Sequence, residues 1–450
     1  MGAFTAIVEK INLYLSDYVL VLVLISGGIY FTIKTNFVQV RCFGKAISNT
    51  FRGFSIKNKS SSGGISSFQA LMTSVGAQVG TGNIIGVCSA ILAGGPGAVF
   101  WIWVIAFFGM ATAYSEAVLA QDTRFIAPDL SVHGGPVYYI KKAFPGAFGS
   151  ILSRFFALAV VLALGFMGCM VQSGSIVSVV NNAFGIPKIL LGVLLALCCS
   201  RIFLGGIGTV ASLAEKLVPF MAVFYITGCV FLLIFKIKQV PEALGMIFYG
   251  AFRPDAIIGG SIGYALKTAV SQGVKRGLFS NEAGMGSTPH AHALADADSP
   301  HEQGLAAMIG LFIDTFVVLS LTALVAVCFF YTDDTSLSGI DKNNMIQSAF
   351  SLAMGHKVGS AFVALCLFFF AFSSVISWNY FGRMNFEFLF GVKGVKAYIS
   401  VSCIFVFLGS FLSPELIWSL ADLFNQLMVI PNMLSLVALS GTVSRSAKGK

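Results

Sequence analysis

Long apolar runs recur along the whole chain, and they restrict its fold more than any other feature of the sequence. An α-helix needs about 20 apolar residues to cross the hydrocarbon core of a bilayer, and about eleven suitable runs are present. The runs are continuous and do not alternate in polarity, which favours membrane helices over the strands of an outer-membrane barrel. They lie near 17–34, 66–92, 97–120, 150–182, 188–204, 208–235, 256–280, 304–331, 358–386, 394–411 and 414–440. The sequence therefore predicts an all-α polytopic membrane protein.

The composition agrees with this fold class and excludes a soluble enzyme. Of the 450 residues, 56% are hydrophobic and 10% are charged, whereas soluble domains carry about 25% charged residues. Nine cysteines are scattered along the chain without C-x-x-C spacing, and most fall inside apolar runs. We therefore expect neither a disulfide framework nor a cysteine metal site.

The net charge of +9 is distributed as membrane orientation requires, and we expect no nucleic-acid partner. Basic residues collect in loops that fall on one side of the bilayer when the helices are counted, and this side is the cytoplasmic one by the positive-inside rule. The N-terminus is then outside and the C-terminus is cytoplasmic. The residues of this set are Arg41, Lys45, Arg52, Lys57, Lys59, Arg124, Lys141, Lys142, Arg383, Lys393, Lys396, Arg445, Lys448 and Lys450.

The stretch VGTGNIIGVC, residues 79–88, is a weak helix former inside a long apolar run. A helix broken here exposes N–H groups at the start of its second half and carbonyl groups at the end of its first half. The N–H groups favour a carboxylate, and the carbonyl groups favour an ammonium group or Na⁺. Gly80 and Gly82 let a ligand approach the backbone, and Asn83 is a good N-cap for the second half. Close helix packing is the alternative, but packing does not require Thr81-Gly82-Asn83, so we favour a binding site.

A second glycine-interrupted run, GGSIGYALKTAVSQGVKRG at 259–277, follows five helices after the first. Two interrupted helices at corresponding places in two five-helix halves are typical of inverted-repeat transporters with a site near the midplane. We therefore divide the chain into residues 1–65, an extra N-terminal helix with a basic loop, residues 66–255, the first repeat, and residues 256–450, the second repeat with a cytoplasmic tail.

Other polar side chains in the apolar runs permit two interpretations each. The Gln172 amide could receive a substrate ammonium group or bond a neighbouring helix. Ser373 and Ser374 offer oxygen ligands to Na⁺, although serines in membrane helices usually bond their own backbone. Trp378 lies four residues after Ser374 on the same helix face, where it either walls a small pocket or packs in the ordinary way.

Ionisable residues inside membrane runs are candidates for function. We expect several of them to pair with one another as gates or struts. A proton-coupled or exchange carrier, with Glu116 or Asp314 titrating, is the alternative to a Na⁺-coupled one. The set comprises Glu116, Glu215, Lys216, Lys267, Asp314, Glu387 and Asp422, with Lys275, Arg276 and Glu282 near the second interruption.

An enzyme is the remote alternative. Residues 259–263 match G-x-S-x-G, but that nucleophile motif requires a preceding strand. His290, His292 and His301, with Asp296 and Asp298, could form the metal cluster of a membrane hydrolase, although no H-E-x-x-H occurs. We expect that the protein is not an enzyme and has no cofactor.

Two signatures resemble those of the alanine/glycine:cation symporter family, the sodium:alanine symporters. They are VGTGNIIGVCSAILAGGPGAVFWIWVIAFFGM at 79–110 and RGLFSNEAGMGSTPHAHALA at 276–295, and the resemblance extends over essentially the whole chain. It implies the leucine-transporter (LeuT) type of fold, two inverted five-helix repeats with one additional helix, in a bacterial or archaeal plasma membrane. It also implies import of alanine or glycine with Na⁺ as the coupling ion.

The resemblance further implies which residues bind each ligand. The amino acid would contact Gly80, Thr81, Gly82, Asn83, Gln172, Gly273, Val274 and Trp378, with Gly273 and Val274 at the break of the sixth core helix. Sodium would be held by the carbonyl groups of Gly76 and Val79 and the hydroxyl groups of Ser373 and Ser374. The chain departs from the family pattern at Gln78, Ser377 and Arg383.

Overall fold

The computed structural model describes residues 2–55, 64–128, 131–253, 262–332, 337–412 and 414–449, and nearly all of them are helical. The helices of the first part are α1 (Thr5–Lys34), α2 (Val38–Arg41), α3 (Phe43–Ser55), α4 (Ser67–Gln78), α5 (Gly82–Gly94), α6 (Gly97–Asp122), α7 (Pro136–Ala143), α8 (Ala147–Phe184), α9 (Lys188–Phe203), α10 (Gly206–Phe235) and α11 (Val240–Gly250). Those of the second part are α12 (Ile262–Asn281), α13 (Pro289–Ala293), α14 (Pro300–Phe330), α15 (Met345–Met354), α16 (His356–Phe390), α17 (Val395–Leu408), α18 (Pro414–Ala438) and α19 (Ser440–Ala447).

Within the described part of the chain, seven helices are long and apolar enough to cross a membrane, and the bent pair α4–α5 adds an eighth span. The all-α expectation is therefore confirmed, whereas the predicted number of about eleven is not established by length and composition alone. The runs predicted near 188–204 and 394–411 form α9 and α17, which are shorter than 18 residues. Of the run predicted near 256–280, residues 256–261 lie outside the described residues and 262–280 lie in α12, whose lysines and arginine lower its hydropathy.

Four two-residue strands occur among the described residues: β1 (Ile65–Ser66), β2 (Phe125–Ile126), β3 (Val132–His133) and β4 (Ala295–Asp296). Strand β1 pairs in parallel with β4, and β2 pairs antiparallel with β3. The β1–β4 pair joins the start of α4 to the connection after α13, although 230 residues separate them: Ile65 lies opposite Ala295. The two interrupted regions of the chain are thus tied together at one end of the bundle.

Helix α4 begins at a capping box. The Ser66 hydroxyl accepts from the Gln69 N–H, and the Gln69 side chain accepts from the Ser66 N–H, which satisfies two donors that a helix N-terminus leaves free. The helix packs against α10 and α16, while α5 packs against α12. Helix α1 packs against α6, and Gly28 allows this approach because a Cβ there would lie 2.7 Å from the Cβ of Phe108. The two interrupted helices therefore lie inside the bundle, surrounded by longer continuous helices.

Candidate functional site

The first break lies where the sequence predicts it. Helix α4 ends at Gln78, α5 begins at Gly82, and the two meet at a bend of 45°. Residues 79–86 are all buried. The prediction that Asn83 is the N-cap is wrong in detail, because Asn83 lies inside the first, π-helical turn of α5. Its side-chain oxygen instead accepts from the Gly80 N–H at 3.0 Å and so bridges the break.

Two polar side chains approach the backbone at Gly80. The Gln172 carbonyl oxygen, on α8, accepts from the Thr81 N–H at 3.1 Å. A Cβ on Gly80 would lie 2.4 Å from the Ser374 hydroxyl and 2.9 Å from the Gln172 amide nitrogen, so only glycine fits. At this break, the N–H groups of Gly80 and Thr81 donate to side-chain oxygen atoms, those of Asn83 and Gln172. N–H groups of this kind can also donate to a carboxylate.

The predicted sodium ligands meet next to this break. The Ser373 and Ser374 hydroxyl groups, on α16, lie 3.0 and 3.1 Å from the Gly76 carbonyl oxygen. Both hydroxyl groups also donate to the Phe370 carbonyl of their own helix. Val79 follows as the first non-helical residue after α4. Two of the predicted ligands, the Ser373 and Ser374 hydroxyl groups, are therefore within hydrogen-bond distance of a third, the Gly76 carbonyl, and all three are oxygen atoms, the type that Na⁺ prefers.

The break predicted at Gly273 and Val274 is wrong. Helix α12 runs without interruption from Ile262 to Asn281. Gly273 serves helix packing, because a Cβ there would lie 2.6 Å from the Trp101 Cβ and 2.8 Å from the Ala98 carbonyl oxygen of α6. The sequence does not separate these two uses of glycine. Residues 259–261 of the predicted interruption lie outside the described residues.

The second break lies between α12 and α13, in the stretch EAGMGST at 282–288. Three residues there have positive φ angles, Glu282 at 58°, Gly284 at 81° and Gly286 at 80°. The first break packs against the residues just before this stretch, since a Cβ on Gly82 would lie 3.0 Å from the Ser280 Cα. The Gln78 amide donates to the Asn281 carbonyl at 2.8 Å, so the ends of α4 and α12 are joined directly.

A buried carboxylate on α6 holds the second break. The Glu116 carboxylate accepts from the N–H groups of Gly284 and Gly286 at 3.2 and 2.9 Å, and from the Asn432 amide of α18 at 2.6 Å. Tyr139 of α7 donates its hydroxyl to the Asn432 amide oxygen. Sequence reasoning identified Glu116 as an ionisable candidate, but its partners lie 168 to 316 residues away.

A second buried carboxylate joins the two breaks. The Asp314 carboxylate, on α14, accepts from the Asn83 amide at 2.7 Å and from the Ser280 hydroxyl at 3.1 Å. Thr315 donates a third hydrogen bond at 2.8 Å. Asp314 therefore contacts the turn that starts α5 and the turn that ends α12. Any change in its charge would alter its hydrogen bonds to both turns.

Trp378 is buried and lies at the second break. Its indole N–H donates to the Glu282 carboxylate at 2.6 Å, and its ring packs edge-on against Phe279 with centroids 5.8 Å apart. Ser374 precedes it by one helical turn and contacts the first break through Gly76. One face of α16 thus contacts both breaks.

Several of the ionisable residues pair with one another, as expected. They lie at the end of the bundle that carries Lys275, Asp422 and Trp418, which we call the Asp422 end. The Asp422 carboxylate lies 2.8 Å from the Lys275 ammonium and 3.4 Å from the Arg276 guanidinium. The Trp418 ring lies 5.2 Å from both the Arg276 guanidinium and the Lys342 ammonium. Burial, and then the neighbouring Arg276, lower the pKa of Lys342 below its usual value. These contacts join α12, α18 and the connection that carries Lys342, and the Phe279 ring lies 4.8 Å from the Trp418 ring.

The three histidines of the hydrolase alternative have separate partners. His290 lies 2.7 Å from the Asn385 amide, His292 lies 2.6 Å from the Gln303 amide, and His301 lies 2.7 Å from the Tyr114 hydroxyl. No group of three or more His, Cys, Asp or Glu side chains suited to a metal occurs among the residues that the structure describes. His290 instead lines a cavity of about 400 Å³ at the opposite end, beside the β1–β4 pair.

Comparisons with known proteins agree with this architecture. The model of the sodium:alanine symporter family matches residues 1–449. The sodium/alanine symporter AgcS of Methanococcus maripaludis is 39% identical over 446 residues, which are 99% of this chain and 97% of AgcS. YrbD of Bacillus subtilis (strain 168) is 36% identical over 449 residues, which are 96% of this chain and 90% of YrbD. Its name describes it as a proposed sodium/proton-dependent alanine carrier protein.

A solved structure shows the fold. The crystal structure of MhsT in complex with L-phenylalanine superposes with a TM-score of 0.59 at 14% sequence identity, covering 84% of this chain and 96% of MhsT. The expected LeuT-type architecture and the expectation of a transporter and not an enzyme are both confirmed. The chain therefore belongs to the sodium:alanine symporter family, and it is a multi-pass membrane transporter of LeuT-type fold.

Proposed function

We propose that this protein imports alanine, glycine or both together with Na⁺ across the plasma membrane by alternating access. The observation that carries the proposal is the meeting of Ser373 and Ser374 with the Gly76 carbonyl, directly beside the broken backbone at Gly80. A cation site and an anion-binding backbone thereby share one short segment. The distribution of the basic loops supports an external N-terminus and a cytoplasmic C-terminus.

The amino acid would bind between the two breaks. Its carboxylate would take the N–H groups of Thr81, Gly82 and Asn83, at the positive end of α5. The Gln172 carbonyl, which contacts the Thr81 N–H, would turn to receive the ammonium group. The C-terminal carbonyl groups of α12 replace those near Gly273 as the second contact for the ammonium, because α12 ends at Asn281.

Sodium would bind where α4 meets α16. The hydroxyl groups of Ser373 and Ser374 would rotate so that their lone pairs and the carbonyl groups of Gly76 and Val79 face the ion. The ion would then hold the first broken helix against α16 in the arrangement that binds substrate. Because both ligands favour the same arrangement, each should strengthen binding of the other by an equal factor.

The test is uptake of labelled alanine by the purified protein in liposomes. We expect an inward Na⁺ gradient to drive uptake and replacement of Na⁺ by choline to abolish it. Ser374→Ala should raise the half-saturating Na⁺ concentration about tenfold and weaken alanine binding with it. The matched control is Ser400→Ala, which removes an exposed hydroxyl that likewise bonds the carbonyl four residues earlier. Uptake that is indifferent to Na⁺, or an unchanged Na⁺ requirement in the Ser373→Ala, Ser374→Ala double variant, would contradict the proposal.

A proton-coupled carrier is the second candidate, and the position of Asp314 is the observation that favours it. This carboxylate contacts Asn83 and Ser280 and so acts on both breaks. Alanine uptake driven by an inward proton gradient in choline medium, and lost in Asp314→Asn, would support this candidate. Uptake that requires Na⁺ and does not respond to the proton gradient would exclude the proton-coupled carrier and favour the sodium-coupled one.

A further inference from the structure

We propose that Glu282 is a positioning residue that fixes the Trp378 indole and thereby limits the side chain of the transported amino acid. The inference rests on the proposed function, since it concerns the selectivity of the same site. It assigns a specific task to a buried carboxylate that the sodium and substrate sites described above do not use.

The backbone at Glu282 adopts a conformation that a side chain makes unfavourable. Its φ angle is 58°, in the left-handed region that favours glycine or asparagine. Two neighbours in the same break, Gly284 and Gly286, have positive φ angles and are glycine. A glutamate at the third such position therefore points to a role for its side chain.

The Glu282 carboxylate is fully buried and makes two side-chain hydrogen bonds. One oxygen accepts from the Trp378 indole N–H at 2.6 Å, and the other accepts from the Ser287 hydroxyl. Among the described residues, no lysine or arginine nitrogen lies within 4.0 Å of this carboxylate. Its described partners are thus two directional donors, and the indole N–H of Trp378 is the one that belongs to another helix, α16.

Packing leaves the indole little freedom on its other sides. A Cβ on Gly168 of α8 would lie 2.6 Å from the Trp378 Cε3, so the ring contacts the α8 backbone closely. Phe279 contacts the ring edge-on at a centroid distance of 5.8 Å. Together with the hydrogen bond to Glu282, these contacts hold the ring on the face of α16 that also carries Ser374.

That face is directed toward the first break. Ser374, one turn before Trp378, is the side chain that a Cβ on Gly80 would meet at 2.4 Å. The indole therefore bounds the space next to residues 80–83, where the amino acid would bind. Without the hydrogen bond to Glu282, only packing against Gly168 and Phe279 would hold the indole, and we expect the ring to shift and give room to a larger substrate side chain.

The experiment compares Na⁺-driven uptake of alanine, valine and leucine in liposomes for the wild type, Glu282→Gly and Glu282→Gln. Glycine takes the left-handed backbone without strain, so Glu282→Gly isolates the loss of the side chain. We expect the ratio of the KM values for leucine and alanine to fall about tenfold or more in Glu282→Gly. Glutamine keeps an oxygen that accepts from the indole N–H, so Glu282→Gln should retain the wild-type ratio. Asp122→Asn, which removes a carboxylate from an exposed ion pair with Lys142, is the matched control.

A double variant separates a positioning role from a general loosening of the fold. Trp378→Phe should itself relax selectivity, and adding Glu282→Gly to it should cause no further change if Glu282 acts through the indole. Glu282→Asp, which withdraws the carboxylate by one methylene, should relax selectivity in the same direction. If Glu282→Gly does not fold, Glu282→Asp replaces it in the comparison.

The outcomes are distinct. An unchanged KM ratio in Glu282→Gly and Glu282→Asp, or a full additional effect in the double variant, would overturn the inference and leave the proposed function intact. A wild type without Na⁺-driven alanine uptake would instead overturn the proposed function.

Discussion

At the scale of single residues, Gly80 is the position where the two predicted sites meet. The Ser374 hydroxyl of the predicted sodium site and the Gln172 amide of the predicted substrate site both lie close to where a Cβ on this residue would be. A methyl group at this position would occupy the space of both side chains. In the proposed site, the absence of a side chain at Gly80 would therefore contribute as directly to binding as the oxygen atoms around it.

Gly80→Ala should reduce Na⁺-driven alanine uptake at least about tenfold, because Ser374 and Gln172 must both move away from the new methyl group. Gly86→Ala is the matched control from the same broken segment, since its Cβ would meet no atom closer than the Thr81 carbonyl oxygen at 3.8 Å. Uptake and thermal unfolding are measured for both variants. Equal uptake in the two would mean that Gly80 is not a point of close approach during transport.

At the scale of elements, the position of the second break shows what the sequence predicts and what it does not. VGTGN combines three poor helix formers with polar side chains, so the first break is predictable from local propensity. Gly273 has no such signal beyond the glycine itself, and it packs against α6. The break at 282–288 is defined by Glu116, whose hydrogen bonds to Gly284 and Gly286 span about 170 residues. A local pattern does not contain that information.

The β1–β4 pair gives a prediction about motion at the end of the bundle that carries the 400 Å³ cavity. The parallel pair joins α4 to the connection after α13, and we expect these segments to separate when substrate is released toward this end. Ser66→Cys combined with Asp296→Cys places two thiols opposite each other in register. Oxidation should reduce alanine uptake about tenfold or more, because the link prevents the change of access.

The single-cysteine variants, treated with the same oxidant, are the controls for this experiment. A reductant should restore uptake in the double variant. Unimpaired uptake with a complete cross-link would show that the pair moves as one unit during transport.

At the scale of the whole molecule, the sequence predicts the fold class, the first break and the meeting of α4 with α16. The fold class and the first break follow from run length and helix breakers, whereas the meeting of α4 with α16 is implied by the resemblance to the family, which assigns Gly76, Val79, Ser373 and Ser374 to one sodium site. The carboxylate contacts that connect distant helices do not follow from the sequence alone. Asp314 reaches Asn83 across 231 residues, and only the packed bundle brings them together.

The ion pairs at the Asp422 end yield a prediction about closure of the whole bundle. Asp422→Asn leaves Lys275 and Arg276 close together without their shared carboxylate, and losing one partner of a buried pair costs about 3–5 kcal/mol. This end should therefore open more readily. In detergent, a cysteine introduced as Ser175→Cys in the cavity beside Trp418 should react with a maleimide about tenfold faster in Asp422→Asn.

Cys198→Ala removes an exposed native thiol for this labelling experiment. Glu415→Gln, an exposed carboxylate on the same helix as Asp422, is the matched control. Equal labelling rates in the two variants would show that the pairs with Asp422 do not hold this end closed.

The face of α16 that carries Ser374 and Trp378 has a mechanical consequence for the transport cycle. Because the two side chains are one turn apart on a continuous helix, a shift of that helix displaces both contacts together. A rigid rod of this kind transmits displacement between the two interrupted helices without an intermediate flexible joint. Under the proposed function, slippage, in which one ligand crosses while the other stays behind, would require this helix to bend between Ser374 and Trp378, where the structure has an unbroken helix.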